Sequence, residues 1–348
     1  MAKKGLNIME FTNIMKKLNG FVSPSANEKQ LLCCVKEMIS DYIPEEDIKF
    51  DTLGNLIAVM GKGCGKKVMF SAHADTIGVI AHNVDENGFV KVSPLGGLNP
   101  KTLSGRHIRF TNGVNGLMNF EEGTLEMGKA YVDIGAKNRE EAIKMLPLGT
   151  AGSVVGEVFE MGAEDDKRIV SPFLDDRIAV AIQIEAIKKL YEEKTELKNE
   201  VYFVFSVQEE LGIRGAKTAT YGIDPDYGIA IDVTGTGDTP KNDALNMKLG
   251  EGAAIKIKDQ SVVCHKEMVD FLVDTAEKSG IKYQYDILPY GGTDAGAIHL
   301  TKCGVYSGGI SIATRYIHMP TESASLNDCK NCVELICAAV KAGFTFGN

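Results

Sequence analysis

Tryptophan is absent from this 348-residue chain, and aromatic residues make up only 7% of it. A cleft that grips polysaccharide needs aromatic platforms for the sugar rings, so the shortage argues against a cellulose-binding function. An excess of positive charge is also missing. The 38 Lys and Arg face 47 Asp and Glu, for a net charge of −9 with no basic block, which argues against nucleic acid and anionic membrane surfaces as partners. No run approaches the roughly 18 apolar residues of a membrane span. The opening segment Met1–Leu6 carries positive charge without the apolar stretch of a secretory signal. The eight cysteines mostly sit in apolar company, as in Leu31-Leu-Cys-Cys-Val35, the pattern of free buried thiols. Cys329 and Cys332 have metal-ligand spacing but no second Cys/His pair near them, and they follow a helix-starting Asn327-Asp328. The expectation is a protein of the reducing cytoplasm. What is present is 44% hydrophobic and 24% charged residues, ordinary for a chain that buries a core, at a length suggesting about two domains.

Ser25 and Glu28, followed by Leu31, Leu32, Val35 and Ile39, read as a capping box opening an amphipathic helix. Residues 55–60 and 67–73 read as short apolar strands split by a glycine-rich turn. From Gly78 to about Val158 short alternating runs are separated by Asn-Gly turns, which suggests a small β-rich unit with one helix over 138–145. Beyond residue 167 the texture is α/β. Helices are expected over 176–190, 262–278 and 326–342, and strands over 200–207, 227–233 and 304–312. The strand at 200–207 is nearly continuously apolar, as in parallel sheets covered on both faces. The reading is an α/β fold, a mixed and largely parallel sheet flanked by helices, with a small β-rich domain inserted into it. Its expected boundaries are 1–75 and 167–348 for the two parts of the α/β domain and 76–166 for the insert.

Apolar strands end in His73-Ala-Asp75, Glu209-Glu210 and Asp232, and such strand ends converge in open α/β sheets. Asp175-Asp176-Arg177 before a helix and His318 after a strand region complete the set. Two imidazoles with several carboxylates suit zinc, cobalt or manganese. Taken singly each member is ordinary: a strand-end acid is commonly a solvated loop start, and His73 could be a core histidine. In His73-x-Asp75, Asp75 can reach one ring nitrogen and aim the other at a metal. Glu209 and Glu210 point to opposite sides of extended chain, so one could ligate while its neighbour serves as a base. An exposed acidic turn is the plain alternative. His82, His107, His265 and His299 lack any ligand-like context. The turn Gly291-Gly-Thr-Asp-Ala-Gly296 could cradle a substrate group or simply support a neighbouring strand.

These stretches resemble the dinuclear metallo-aminopeptidases that include the tetrahedral (TET) particles and glutamyl aminopeptidases, some members of which are described as CelM-type endoglucanases. The matching segments are Ser71-Ala-His-Ala-Asp-Thr-Ile-Gly78, Leu174-Asp-Asp-Arg177, Val207-Gln-Glu-Glu-Leu-Gly212, Ala230-Ile-Asp-Val233, Gly291–Gly296, Gly308-Gly-Ile-Ser-Ile312 and Thr314-Arg-Tyr-Ile-His318. They run in family order along nearly the whole chain. The resemblance implies that Asp175 bridges two divalent ions, zinc or cobalt with manganese as a third option. Glu210 and His318 would complete one site, and His73 and Asp232 the other. Glu209 would be the general base and Asp75 would orient His73. Two such ions about 3.5–4 Å apart polarise the scissile carbonyl and supply a nucleophilic hydroxide. The implied substrates are short peptides cut at their N-terminus, and the implied assembly is a homo-oligomer, from a dimer up to a dodecamer built through the insert. Thr76 stands where many relatives carry Glu, Met319 follows His318 where a small residue is common, and 115–131 lacks a segment that many members have. A glycoside hydrolase and a non-catalytic scaffold are the alternative readings.

Overall fold

The computed structural model describes residues 7–242 and 244–347. Two helices, α1 (Ile8–Asn19) and α2 (Lys29–Ile39), precede strands β1 (Ile48–Phe50), β2 (Leu56–Met60) and β3 (Lys67–His73). Then follow β4 (Gly78–Val84), β5 (Val90–Leu95), β6 (Arg106–Phe110), β7 (Asn115–Phe120), β8 (Ala130–Asp133), helix α3 (Arg139–Met145) and β9 (Ala151–Val154). The chain continues through β10 (Phe159–Met161), β11 (Arg168–Ser171), α4 (Leu174–Glu192), β12 (Glu200–Ser206), α5 (Arg214–Ile223), β13 (Tyr227–Thr234) and β14 (Ala253–Lys258). It ends with α6 (Lys266–Ser279), β15 (Tyr283–Ile287), α7 (Ala295–Ile298), β16 (Tyr306–Arg315), β17 (Glu322–Ser325) and α8 (Leu326–Ala342).

The large sheet has the order β1-β2-β12-β3-β13-β16-β17-β11-β10, with β14 and β15 attached beside β16. Its heart, β12-β3-β13-β16, is parallel, and the flanks are antiparallel. The α/β expectation therefore holds, with parallel pairing confined to the centre and to the β14–β15 pair. Strand periodicity sorts the central side chains between two layers. Val68, Phe70, Val201, Phe203 and Phe205 pack with α1, α2, α4 and α8. Met69, Tyr202 and Val204 face Ala216, Ala219, Ile223 and Ile298 of α5 and α7. Burial on both faces explains why these strands are apolar without alternation.

Strands β4 to β9 close into a six-stranded barrel, β4-β5-β8-β7-β6-β9, around Val79, Val90, Ile108, Phe110, Met118 and Val132. The barrel leaves the sheet directly after His73 and Asp75, so the module is anchored at the edge of the strand-end crevice. Strand β10 pairs with β11 and so belongs to the large sheet.

The capping box is a misreading. Helix α2 starts at Lys29, one residue past Glu28, and no side chain caps it. Ser25 instead gives its hydroxyl to Asp75, and Glu28 accepts from the amides of Ala26 and Gln208. Helix α6 begins at Lys266 rather than at 262. Cys329 and Cys332 are buried core thiols of α8, and all eight cysteines are free. Among the described residues no helix is long and apolar enough to cross a membrane.

Candidate metal centre

The carboxyl ends of β3, β12 and β13 and the turn after β16 meet at one crevice, as the topology of a parallel sheet requires. His73 closes β3, and its Nε2 lies 2.9 Å from Asp175 Oδ1. The other Asp175 oxygen lies 3.3 Å from His318 Nε2, which is also 3.3 Å from Glu210 Oε2. Asp232 reaches the same crevice from β13. Two clusters of donor atoms result: His73, Asp175 and Asp232, and Asp175, Glu210 and His318, each set lying within 4.8 Å. Asp175 belongs to both. Asp175 and Asp176 open α4 with non-helical dihedrals, and the peptide between them is cis.

Asp75 reaches His73 Nδ1 with two groups. Its main-chain carbonyl is the nearer partner of His73 Nδ1, at 3.0 Å, with the carboxylate at 3.5 Å. That carboxylate accepts instead from Ser25 Oγ at 2.6 Å and from the amides of Glu209 and Glu210 at 2.9 and 3.2 Å. One buried acid thereby fixes both the imidazole and the two-glutamate turn. Glu28 braces the same turn through the amide of Gln208, a non-glycine residue at φ 56°.

Glu322 escaped the sequence reading. It is buried in β17 and accepts from the amides of Asp175 at 2.9 Å and His318 at 2.8 Å. Two of the three residues of one cluster are thus tied to a single carboxylate. Within the turn at Gly291–Gly296, Asp294 accepts from Ser71 and Ser206, each at 2.6 Å, beneath the strand ends, and Gly291 and Gly292 line the crevice. Asp176 accepts from the amide of His73. Arg177 points away from the crevice, to Asn19, the Phe21 carbonyl and Ser23. Thr76 is buried at the barrel junction, bonded to Ser153. His82, His107, His265 and His299 each bond locally, to Ser93, Asn115, the Ser307 amide and the Ala295 carbonyl.

The electrostatics of the crevice call for cations. Burial, together with the charges of Asp232, Glu210 and Asp294, holds the Glu209 carboxyl well above the usual carboxylate range. Burial and the charges of Asp175 and Asp294 do the same for Asp232. Burial also raises Glu210, against its bond to His318. The Asp175 carboxyl is held low despite burial, because both imidazoles bond to it. His318 is correspondingly pushed up to about 12 by Asp175 and Glu210, against the effect of burial. Buried carboxylates without a counter-charge are costly, and Glu210 Oε1 is buried with no partner. A donor set of imidazoles and carboxylates with an orphaned oxygen fits divalent ions.

The crevice opens into a cavity of about 770 Å³ that includes Glu209. Glu209 stands outside both clusters, and among the described residues no hydrogen bond reaches its carboxylate.

A family model described as M42 glutamyl aminopeptidase matches residues 54–335. The chain belongs to this M42 family. A protein of Acetivibrio thermocellus is 45% identical over 333 residues, covering 94% of this chain and 98% of that one. The structure is similar to an aminopeptidase of the archaeon Desulfurococcus kamchatkensis, with a TM-score of 0.89 at 34% identity, covering 97% and 96% of the two chains. It is also similar to the TET1 peptidase of Pyrococcus horikoshii, which can assemble into a tetrahedron or a large octahedral shell; the TM-score is 0.84 at 28% identity, covering 96% and 99%. The M42 match spans every segment that converges on the crevice, from β3 to the turn at His318.

Proposed function

We propose that this M42 peptidase removes N-terminal residues from short peptides with two divalent ions per chain and Glu209 as general base. The pair of donor clusters sharing Asp175 carries the reading. His73, Asp175 and Asp232 would hold one ion, and Asp175, Glu210 and His318 the other. Zinc or cobalt suits this donor set, and manganese is compatible with it. Bound there, the ions would polarise the scissile carbonyl and make water a nucleophile at neutral pH.

The remaining work falls to the chain. Glu209, free of protein partners and facing the cavity, can take a proton from the attacking water and deliver it to the leaving amine. Its raised affinity for protons suits both steps. Asp75 holds the Glu209–Glu210 turn through two amides, so the base and its ligand neighbour keep a fixed separation. The acid-rich end of the cavity would receive the cationic α-amino group, which restricts cleavage to the chain terminus. A sugar-cleaving reading has less support, because the acids gather around two imidazoles instead of flanking an open cleft. Protein freed of metal and reconstituted with zinc or cobalt should bind two equivalents and gain peptidase activity with both. Full activity at one tight equivalent would sink the two-ion mechanism.

The barrel of the inserted module, Gly78–Val154, is assigned to self-association. Leu117, Leu125, Ile143, Met145 and Leu148 leave apolar surface exposed on it, and the P. horikoshii relative forms shells. Light scattering at micromolar concentration should therefore report a dimer or a larger assembly, up to a dodecamer; a monomer would refute the assignment. Eight unpaired cysteines support a cytoplasmic location.

A further inference from the structure

Away from the two clusters and Glu209, the cavity wall presents no unpaired charge among the described residues. Val233 and Leu288 are buried there, and Ile213, Ile317 and Tyr290 extend the surface. Gly235 lies in the same wall, where an added Cβ would meet the Tyr290 hydroxyl at 3.1 Å and Leu245 at 3.2 Å. This part of the wall contains one cation among the described residues, Arg315, and it is already engaged. Its Nε donates to Asp238 Oδ1 at 2.9 Å and its Nη2 to Asp238 Oδ2 at 2.8 Å. The two side chains are only 17% and 15% exposed. Asp238 is further fixed by the Leu249 amide at 3.0 Å. A two-pronged guanidinium–carboxylate pair of this kind is among the stronger ionic contacts, and it is neutral as a unit.

We infer that the chain prefers peptides whose N-terminal side chain is neutral and largely apolar, such as Leu or Met, over Glu or Lys, with the Asp238–Arg315 pair setting that preference. The inference rests on the aminopeptidase reading and departs from the glutamyl description of the family. A glutamate side chain entering the cavity leaves water, finds Arg315 engaged and lies near the acids of the metal centre. A lysine side chain finds no free carboxylate in this part of the wall, because Asp238 is bonded to Arg315 and does not itself line the cavity. Burying either charge without a partner is unfavourable, whereas an aliphatic side chain gains contact with Val233, Leu288 and Ile213.

The pair makes two predictions, for substrates of opposite charge. Asp238→Asn releases the guanidinium to receive a substrate carboxylate, and Arg315→Gln releases the carboxylate to receive an ammonium. The test measures kcat/KM for 4-nitroanilides of Leu, Met, Glu and Lys with the cobalt- or zinc-loaded full chain. Wild type should favour Leu and Met by about tenfold or more, the scale of discrimination that side-chain pockets reach. Asp238→Asn should raise the Glu:Leu ratio and Arg315→Gln the Lys:Leu ratio, each by about tenfold. The wild-type panel stands whether or not either variant folds. Wild-type cleavage of Glu or Lys as fast as Leu overturns the preference while leaving the aminopeptidase reading intact. Ratios unmoved in both folded variants overturn the role of the pair. Cleavage of none of the four substrates removes the aminopeptidase reading and this inference with it.

Discussion

Glu209→Gln should lower kcat by about 10²–10⁴-fold, the usual contribution of a positioned general base, with two equivalents of metal still bound. The amide keeps the length of the side chain and the Asp75 bond to the residue 209 backbone, so only the proton acceptor is lost. KM should change little, because Glu209 is outside both donor clusters. Glu210→Gln should fail in another way. Its Oε2 sits 3.3 Å from His318 Nε2 within the second cluster, so the change removes an anionic ligand. Metal affinity should fall, and excess zinc or cobalt should restore part of the activity. Titrating each variant with metal while following peptide hydrolysis separates the two. Rescue of Glu209→Gln but not Glu210→Gln would mean the roles are exchanged. Full activity in both would place the chemistry elsewhere.

The position of these neighbours was legible in sequence, because a near-continuous apolar strand, 200–206, runs into two acids. Their contrast was argued from extended-chain alternation, whereas both acids lie in a turn past the strand, after Gln208 at φ 56°. His73 and Asp232 were legible by position as well, each near the carboxyl end of a buried strand. The barrel also announced itself, through short alternating runs between Asn-Gly turns. Glu322 could not be found this way. Its strand, Glu322–Ser325, is four residues long and rich in serine, and only the pairing of Ser171 with Glu322 beside β11 brings the carboxylate under Asp175 and His318. Ser25 misled for a related reason. A serine three residues before a glutamate satisfies the local capping pattern, but the buried Asp75 carboxylate, fifty residues away in sequence, takes its hydroxyl. Helix α1 did carry a signal, Phe11, Met15 and Leu18 at helical spacing, all of them buried. The short edge strands did not, because their side chains are set by neighbouring strands more than by their own alternation.

Removing the ions should destabilise the protein most at alkaline pH. Without them Glu209, Asp232, Asp176 and Glu322 have proton affinities raised above the carboxylate range, chiefly by burial. An acid whose folded pKa is raised contributes stability that is present below its unfolded value, near 4, and lost as pH rises through the folded value. His73 and His318 are raised as well, so their contribution is present below about 6.5 and lost as pH climbs toward the folded values. Asp175 has the opposite sign, its lowered pKa favouring stability above the acid range, but it is one group against several. The metal-free protein should therefore lose stability steadily as pH rises from the unfolded carboxylate value, near 4, toward the His318 value of about 12. Bound ions need deprotonated ligands, so the loaded protein should show a flatter profile, and metal uptake should release protons. A ligand at a hundred times its Kd adds about 2.7 kcal/mol per site, roughly 4 °C in Tm per site at this chain length. Thermal scans with and without chelator across that pH range give the two slopes. Calorimetric metal titrations in buffers of different ionisation enthalpy count the protons released. Parallel pH profiles with no proton release would show that the acids of the crevice are not the ligands.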